Sequence, residues 1–382
     1  MKFNPADNIQ DLQYFGEFGG VNPSISDSST YTFLSAKIML DTFEGNADGC
    51  YLYSRHSTPS NLCLGEALAA MEGTETANVA ASGMGAITPV LLQLVGAGEH
   101  IVSSRTIYGG TYAFLKNFTP RLGIETTFVN ITKLKIVEAA ITKKTKVLFC
   151  ESVSNPLLEV ADIKALSALA KKYNLKLVVD NTFSPLSISP AKLGADIVCH
   201  SLTKFINGSS DAVGGVVCGT QEFINDLRNV NNGASMLLGS TMDSVRASSI
   251  LKNMRTLPIR MKQHSYNAAF LAAKFEADGL KTVYPGLKSH PSHQLFKSMM
   301  NVAYGFGGIL TVDAGSLEKA NALMELMQQK NIGYLAVSLG FYKTLFSAPG
   351  TSTSSEISEE EQKEMGLTSG LIRFSIGLDN DI

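Results

Sequence analysis

The most informative segment of the chain is residues 196–210, DIVCHSLTKFINGSS, in which an apolar run leads into hydroxyl groups and a lysine. The run Ile197–Cys199 predicts a short buried strand, and Ser201, Thr203 and Lys204 follow it directly. Burial lowers the pKa of a lysine and turns its ammonium into a usable amine, which can form a Schiff base with a carbonyl. An exposed lysine at the end of a strand is the alternative that this segment alone leaves open.

Short apolar runs alternate with helical stretches from residue 100 to residue 220. The runs that predict strands are His100–Ser103, Val147–Glu151, Leu175–Asp180, Asp196–Ser201 and Gly214–Cys218. Helical spacing lies between them, for example in Ile163–Tyr173. This alternation predicts a mostly parallel sheet flanked by helices, in which ligands bind beyond the carboxyl ends of the strands.

Polar residues stand at those predicted strand ends, namely Tyr108, Asn155, Asp180 and Lys204. Asp180 closes the apolar run LKLVVD, and a buried carboxylate needs a partner, which a protonated ring nitrogen could provide. Capping of the following turn, DNTF, is the alternative role for this carboxylate. Tyr108 precedes two glycines that leave room for a flat ring to stack on it, although a buried structural tyrosine fits the same pattern.

Two segments nearer the N-terminus could bind phosphate. Residues 1–60 show little periodicity and predict a long irregular arm, near whose end Tyr53 and Arg55 could both reach one phosphate. Gly83 and Met84 lie where an apolar helix begins, and free N–H groups at a helix start attract phosphate. Surface residues and a plain turn are the respective alternatives.

The composition is that of a globular protein. The chain has 382 residues, 45% hydrophobic and 17% charged, which predicts two domains with a large core. A net charge of −2 gives no basic surface for nucleic acid or a membrane. The five cysteines include no CxxC pair. The chain has one HxxH pattern, His290 and His293, which is more typical of a structural role than of a metal site. We therefore expect no metal, nucleic-acid or membrane partner and, without a signal-peptide core, a cytoplasmic location.

Taken together, these segments resemble the pyridoxal phosphate (PLP) enzymes of cystathionine and methionine metabolism. The matching segments are YSRHSTPS, ASGMGA, IYGGTY, ESVSNPLLEV, VVDNTFSP, SLTKFINGSSD, MRTLPIRM, VYPGLKSHPSHQL, GFGGIL, VSLG and GLIRFSIGL. The resemblance implies an α/β fold of PLP-dependent type I, which is aspartate-aminotransferase-like. It also implies an N-terminal arm over a neighbouring subunit (1–55), a large PLP-binding domain with a mostly parallel sheet (56–250) and a smaller C-terminal α+β domain (251–382).

The resemblance assigns roles to individual residues. It implies that Lys204 holds pyridoxal 5'-phosphate as a Schiff base, that Asp180 pairs with the ring nitrogen and that Tyr108 stacks on the ring. These three residues are the implied catalytic group. The residues implied to bind the phosphate are Gly83, Met84, Ser201 and Thr203, together with Tyr53 and Arg55 from a neighbouring subunit. The residues implied to surround the substrate carboxylate are Asn155, Ser338 and Arg373.

The expected activity is a carbon–sulfur lyase of sulfur amino acids. It eliminates the γ-substituent of methionine or a homocysteine-type substrate and gives 2-oxobutanoate, ammonia and a thiol. The alternatives are an O-acetyl- or O-succinylhomoserine sulfhydrylase, which is a γ-replacement transferase, and then a cystathionine γ- or β-lyase. An oxidoreductase lacks its nicotinamide fingerprint here, and a catalytically silent scaffold is a further alternative. The family resemblance also implies a homo-oligomer, a dimer at least and usually a tetramer.

Several positions depart from the family pattern and bear on the substrate. Gly110 stands where methionine γ-lyases usually have a cysteine, and Ser209 stands where relatives often have His or Gln. Lys343 replaces a glutamate of cystathionine-handling relatives, and its charge would repel the distal ammonium of cystathionine. The sequence as given ends at LDNDI, from which we expect the family's final helix to be missing.

Overall fold

The computed structural model describes residues 3–47, 49–352 and 358–379, which form two β-sheets with helices packed around them. The strands of the first sheet are β1 Thr76–Ala80, β2 His100–Ser104, β3 Glu125–Val129, β4 Thr145–Glu151, β5 Lys176–Asp180, β6 Ile197–Ser201 and β7 Gly215–Gly219. Their order is β1-β7-β6-β5-β4-β2-β3. The strand β7 runs antiparallel to both of its neighbours, whereas all other neighbouring strands of this sheet are parallel.

The second sheet is smaller and mostly antiparallel. Its strands are β8 Lys281–Val283, β9 Ile309–Asp313, β10 Tyr334–Leu335, β11 Leu345–Ser347 and β12 Leu371–Ser375. Their order is β10-β11-β12-β9-β8, with β12 in the middle, and only the pair β10 and β11 is parallel. Because β12 is the central strand, its backbone is hydrogen-bonded to a neighbouring strand on each side.

Helices pack on both faces of the first sheet and against the second sheet. The helices are α1 Pro5–Gln10, α2 Ala36–Phe43, α3 Pro59–Glu72, α4 Gly83–Leu94, α5 Gly109–Ala113, α6 Leu134–Ala139, α7 Ile163–Lys172, α8 Gln221–Arg228, α9 Ala234–Leu238, α10 Ser244–Met254, α11 Leu257–Ala277, α12 His293–Met299, α13 Leu317–Gln329 and α14 Glu359–Met365. Among these described helices, none is long and apolar enough to cross a membrane.

The first sheet is buried on both faces, which explains its continuous apolar strands. In β5, Leu177 and Val179 pack into the core on the side of α3, while Val178 packs on the side of α4. All three side chains are fully buried, and each contributes about 1.5–3 kcal/mol relative to an exposed position. Because both faces of the first sheet are buried in the core, its polar side chains are expected at the ends of the strands.

The five strands predicted in the first sheet are present, with differences in detail. The run Gly214–Cys218 corresponds to β7, which is antiparallel. The strands β1 and β3 were not predicted, and the expected irregular arm contains the short helices α1 and α2. The divisions at residues 55 and 250 and the arm's contact with a neighbouring subunit stay predictions. The expected lack of a final helix concerns residues 380–382, which lie outside the described ranges.

Candidate active site

A cavity of about 310 Å³ lies at the carboxyl ends of β4, β5 and β6, on the side where β12 of the second sheet approaches. The register of the parallel strands sets Glu151, the last residue of β4, beside Asp180, the last residue of β5. The sequence-predicted residues that line the cavity are Gly83, Met84, Tyr108, Asn155, Asp180, Ser201, Thr203, Lys204 and Arg373. Residues from segments far apart in sequence therefore meet at one place, as expected for a sheet of this type.

Lys204 is directed into this cavity, so the exposed-lysine alternative is wrong. Its Nζ atom donates to the Ser338 hydroxyl at 3.2 Å. Burial, and then the charge of Arg373, lower the pKa of Lys204 to about 8. A lysine with that pKa has a sizeable neutral fraction near physiological pH, and its neutral amine can act as a nucleophile or as a base.

Asp180 is buried at the end of β5 and uses one oxygen to cap the following turn. Its Oδ1 atom accepts hydrogen bonds from the backbone N–H and the hydroxyl of Thr182, at 2.9 and 2.6 Å. No described residue donates to Oδ2, while the side chain lines the cavity. Burial raises the pKa of Asp180, and the hydrogen bonds from Thr182 oppose that shift. The two roles considered for this carboxylate are thus compatible, since one oxygen caps the turn and the other is left for a cationic N–H.

The start of α4 offers a cradle for an anion. The Ser82 hydroxyl caps the helix by accepting from the N–H of Gly85 at 2.9 Å, and the N–H groups of Gly83 and Met84 precede any acceptor within the helix. A Cβ atom on Gly83 would lie 2.9 Å from the Cβ atom of Ser201, so this helix start packs closely on the end of β6. Glycine is therefore needed for the approach, and phosphate is the anion that such N–H groups and hydroxyls suit.

Arg373 reaches the cavity from β12 and is almost fully buried, at 2% exposure. Its Nη1 atom donates to the side-chain oxygen of Asn155 at 3.0 Å, and Nη2 donates to the Ser338 carbonyl at 3.4 Å. Burial lowers its pKa to about 10, while the charge of Glu151 acts in the opposite direction. Its Nε atom is buried without a hydrogen-bond partner among the described residues. A buried guanidinium with an unused donor suits a carboxylate.

Tyr108 borders the cavity with its side chain 42% exposed, so the buried-tyrosine alternative is wrong. It is the residue before α5, and its backbone N–H donates to the Oε1 atom of Glu151 at 2.7 Å. Gly110 lies under its ring, because a Cβ atom there would be 2.6 Å from the Cε1 atom of Tyr108. The backbone bond to Glu151 and the closeness of Gly110 together limit the positions that the Tyr108 ring can take.

Glu151 is a cavity residue that the sequence reasoning did not assign. Its Oε2 atom accepts from the backbone N–H of Asn155 at 2.8 Å, in addition to the bond from Tyr108. Burial and the neighbouring Asp180 raise the pKa of Glu151 well above its usual value, and the two N–H groups and Arg373 oppose that rise. The signal that could have found it is the one used for Asp180, a carboxylate that closes a buried strand.

Tyr53 and Arg55 do not line the cavity of their own subunit. The guanidinium of Arg55 donates to the Met236 carbonyl at 3.2 Å and lies 5.8 Å from the ring centroid of Tyr53. The Tyr53 side chain is 46% exposed. Their expected service to a neighbouring subunit stays a prediction.

Lys343 does not border the cavity in this structure, so the repulsion of cystathionine expected of it stays a prediction. Its Nζ atom donates to the side-chain oxygen of Asn331 at 2.6 Å and lies 5.4 Å from the ring centroid of Tyr334. These contacts hold the ammonium away from the space available to a substrate. Ser209 likewise does not line the cavity, although Val213, further along the same loop, does.

No group of three or more potential metal-ligating side chains occurs within the described ranges. His293 donates a hydrogen bond from Nδ1–H to the Pro285 carbonyl at 2.9 Å and stacks on Phe306. At least one histidine of the HxxH pair, His293, thus makes ordinary structural contacts.

The sequence model of a family described as Cys/Met metabolism PLP-dependent enzyme matches residues 8–381. The chain belongs to this family. Pyridoxal phosphate is therefore its cofactor, and the cavity fits it. The unused Oδ2 of Asp180 suits a protonated ring nitrogen, the start of α4 suits a phosphate, and Lys204 suits an aldehyde.

Members of the Cys/Met metabolism PLP-dependent enzyme family from other organisms align along the whole chain. Methionine gamma-lyase of Arabidopsis thaliana is 45% identical, over 98% of this chain and 86% of its own length. L-methionine gamma-lyase of Porphyromonas gingivalis is 38% identical, over 95% and 90% respectively. The similarity to lyases of sulfur amino acids thus spans both sheets.

A solved structure confirms the predicted fold. The structure from Campylobacter jejuni, described as an O-acetylhomoserine (thiol)-lyase with a pyridoxyl-lysine phosphate, has a TM-score of 0.91 to this chain. The two are 30% identical, and the match covers 99% of this chain and 97% of the other. The α/β architecture of PLP-dependent type I is therefore the fold of this chain.

Proposed function

We propose that this chain is a carbon–sulfur lyase that eliminates the γ-substituent of methionine or a homocysteine-type amino acid. With methionine and one water, the products are 2-oxobutanoate, ammonia and a thiol. The observation that carries this choice is the chemistry of the cavity lining. The charged residues that line the cavity are Glu151, Asp180, Lys204 and Arg373. Each of them has a hydrogen-bond partner described above or a role proposed below.

The remaining substrate-side lining is apolar. Val337 and Leu339 flank Ser338 in the loop between β10 and β11, and Val213 comes from the loop after Lys204. Among the residues described, no further charged side chain borders the cavity to receive the distal ammonium or carboxylate of cystathionine. A short uncharged thioether therefore suits this space better than a substrate with a second charged end.

Binding of the substrate carboxylate is the proposed duty of Arg373. Its unused Nε donor and its burial favour a bidentate bond to a carboxylate, which would also neutralise the buried positive charge. Asn155 already holds one nitrogen of the guanidinium at 3.0 Å and so orients the fork. The α-amino acid is thereby held with its α-carbon toward Lys204.

Proton movement at the α-carbon is the proposed duty of the Lys204 amine. The pKa of about 8 leaves a neutral fraction that can accept the α-proton and return it, and the Ser338 hydroxyl orients the Nζ atom. When bound, pyridoxal phosphate supplies an electron sink for the charge left at the α-carbon. Asp180 would hold the ring nitrogen protonated, and Tyr108 would stack on the ring and protonate the departing thiolate.

A γ-replacement transferase is the second candidate, because the Campylobacter jejuni protein of similar structure is described as an O-acetylhomoserine (thiol)-lyase. The two activities share the first half of the reaction and differ in whether a thiol enters before the product leaves.

A homo-oligomer is the proposed assembly, a dimer at least and in full a tetramer formed as a dimer of dimers. Phe18 and Leu34 of the N-terminal arm are 99% and 96% exposed, which supports burial of the arm against another copy. Tyr53 and Arg55, which do not reach their own cavity, would then complete a neighbour's phosphate site. A cytoplasmic location stays a prediction from the sequence.

Product analysis tests the proposed function. The protein is incubated with methionine, cystathionine, homocysteine or O-acetylhomoserine, each with and without sulfide, and the variant Lys204→Ala is the control for background reaction. We expect 2-oxobutanoate and a thiol from methionine alone. Consumption of O-acetylhomoserine only when sulfide is present would replace the lyase by the sulfhydrylase.

A further inference from the structure

A buried carboxylate without an assigned role, that of Glu151, connects two walls of the cavity. Glu151 ends β4 and is 8% exposed. Its Oε1 atom accepts from the backbone N–H of Tyr108 at 2.7 Å, and its Oε2 atom accepts from the backbone N–H of Asn155 at 2.8 Å. Both oxygens are thus committed to backbone groups on two different loops.

Each of these loops carries a side chain that the proposed reaction uses. Tyr108 begins the turn into α5 and presents its ring to the cavity. Asn155 holds Arg373 through a side-chain hydrogen bond of 3.0 Å. A continuous set of contacts therefore runs from the Tyr108 loop, through the carboxylate, to the guanidinium on the second sheet.

In its ionised form, which the two backbone N–H groups and Arg373 favour, the Glu151 carboxylate also acts on Arg373. The guanidinium is buried, and no carboxylate of the described residues lies within 4.0 Å of it as a salt-bridge partner. Glu151 acts on it electrostatically and offsets part of the cost of burial. Removing this negative charge would increase the cost of burying the charged guanidinium of Arg373. The guanidinium would also be less firmly positioned.

We propose that Glu151 is a positioning residue that fixes the Tyr108 ring and the Asn155–Arg373 pair relative to one another, so that an α-amino acid carboxylate and a stacked cofactor ring are held in register. Two acceptor oxygens on one rigid strand end are what two N–H donors require. The proposal rests on the roles proposed above for Tyr108 and Arg373, and it does not depend on which carbon–sulfur reaction follows.

The variant Glu151→Gln tests this role, because it keeps the size of the side chain but can offer only one acceptor oxygen. The matched control is Glu159→Gln, which removes a carboxylate from the same loop region. Glu159 accepts from the Thr106 hydroxyl at 2.6 Å and does not line the cavity. Both variants are compared as PLP-loaded proteins in the assembly that they form.

The measurement is binding, without turnover. Norleucine is used as the probe because it has an α-carboxylate and no sulfur leaving group, and its dissociation constant is read from the change in visible absorbance. Dissociation of pyridoxal phosphate on dialysis is measured in parallel. Loss of a charge-assisted hydrogen bond predicts that Glu151→Gln weakens norleucine binding about tenfold, with faster loss of the cofactor. Glu159→Gln should stay within about twofold of the wild type.

Norleucine and cofactor binding that are unchanged in Glu151→Gln would overturn the proposal. If that variant does not fold, Glu151→Asp, which keeps the charge but is too short to reach both N–H groups, is expected to show the same two losses. Hydrogen exchange of the wild type is a measurement independent of any variant. The Tyr108 and Asn155 amides should both be protected, and rapid exchange of either would overturn the proposal. Failure of the wild type to cleave methionine while norleucine binds would reject the proposed function alone.

Discussion

The guanidinium of Arg373 donates to the side-chain oxygen of Asn155 at 3.0 Å, and this hydrogen bond connects the two sheets across the cavity. Arg373 lies in the central strand β12 of the second sheet, and Asn155 lies in the loop after β4 of the first. The cavity therefore depends on the relative placement of two separately built sheets. A substrate carboxylate that binds Arg373 adds a further contact at the same junction.

The variant Arg373→Ala should raise the KM for methionine about 100-fold while kcat changes about threefold or less, because the lost bonds hold the carboxylate equally in the ground state and the transition state. Steady-state kinetics measure both constants. Arg246→Ala is the control, since that guanidinium lies on the exposed face of α10 beside Asp243 and should leave KM unchanged. An unaltered KM in Arg373→Ala would remove the proposed role.

Covalent attachment of the cofactor is predicted at Lys204. Reduction of the PLP-loaded protein with borohydride should add the pyridoxyl phosphate mass to the peptide that contains Lys204, because the amine is buried beside the cavity with a pKa of about 8. Mass spectrometry of the digested protein locates the label. The variant Lys204→Ala should be colourless and inactive, whereas Lys343→Ala should retain the label. A labelled peptide from another part of the chain would contradict the assignment.

The burial of Lys204 should cost stability in the cofactor-free protein. Its pKa is about 8 in the folded state and 10.5 as the ordinary value, so the folded state binds fewer protons between these pH values and stability rises with pH across them. Below pH 8 the lysine is charged in both states and the full cost is present. Lys204→Met should therefore raise the free energy of unfolding by about 3 kcal/mol at pH 7.

That gain should shrink toward zero as the pH rises from 8 to 10.5. Urea unfolding of the cofactor-free protein at several pH values measures it, with the exposed Lys164→Met on α7 as the control for a general loss of charge. A gain of the same size at pH 7 and pH 10 would show that the effect comes from packing and not from the burial of a charge.

The sheet of this chain was predictable to the extent that its strands are apolar on both faces. Leu175–Asp180 reads as a buried run, and β5 occupies nearly the same residues. The strand β3 was missed because it lies at the edge of the sheet and its sequence, ETTFV, is only partly buried. The strand β1 was missed because TANVA mixes small and polar residues, although four of its five residues are buried.

The candidate site was predictable where a motif placed a residue at a strand end, as for Asp180 and Lys204. Glu151 stands within a recognised segment, yet its two bonds to backbone N–H groups depend on how two loops fold back on β4. Lys343 shows the opposite case, a residue that the sequence pointed to and that does not border the cavity. Its place in the sequence suggested the cavity, but Asn331, which follows α13, binds its ammonium elsewhere. Sequence spacing predicts roughly where in the fold a residue lies, but it does not predict which way its side chain points.

The variant Lys343→Gln should leave the ratio of methionine to cystathionine turnover within about twofold of the wild type, because its ammonium is held by Asn331 outside the cavity and screened by solvent. Parallel assays of kcat/KM for both substrates measure this ratio. Val337→Asp, which places a charge on the cavity lining, is the positive control and should shift the ratio. A large gain of cystathionine turnover in Lys343→Gln would restore the repulsion argument.

Adding a methyl group at Gly110 should displace the Tyr108 ring. The new Cβ atom would lie 2.6 Å from the Cε1 atom of Tyr108, and the ring, which is partly exposed, must rotate or shift away from the cavity. Because misplacement of a reacting group lowers the rate, Gly110→Ala should lower kcat/KM for methionine by up to about tenfold with little loss of stability, the partly exposed ring being free to move. Gly96→Ala is the matched control, since its Cβ atom would meet only the Oε2 atom of Glu99 at 3.7 Å. Steady-state kinetics and thermal unfolding of both variants distinguish the outcomes. Full activity in Gly110→Ala would mean that the position of the Tyr108 ring does not govern the reaction.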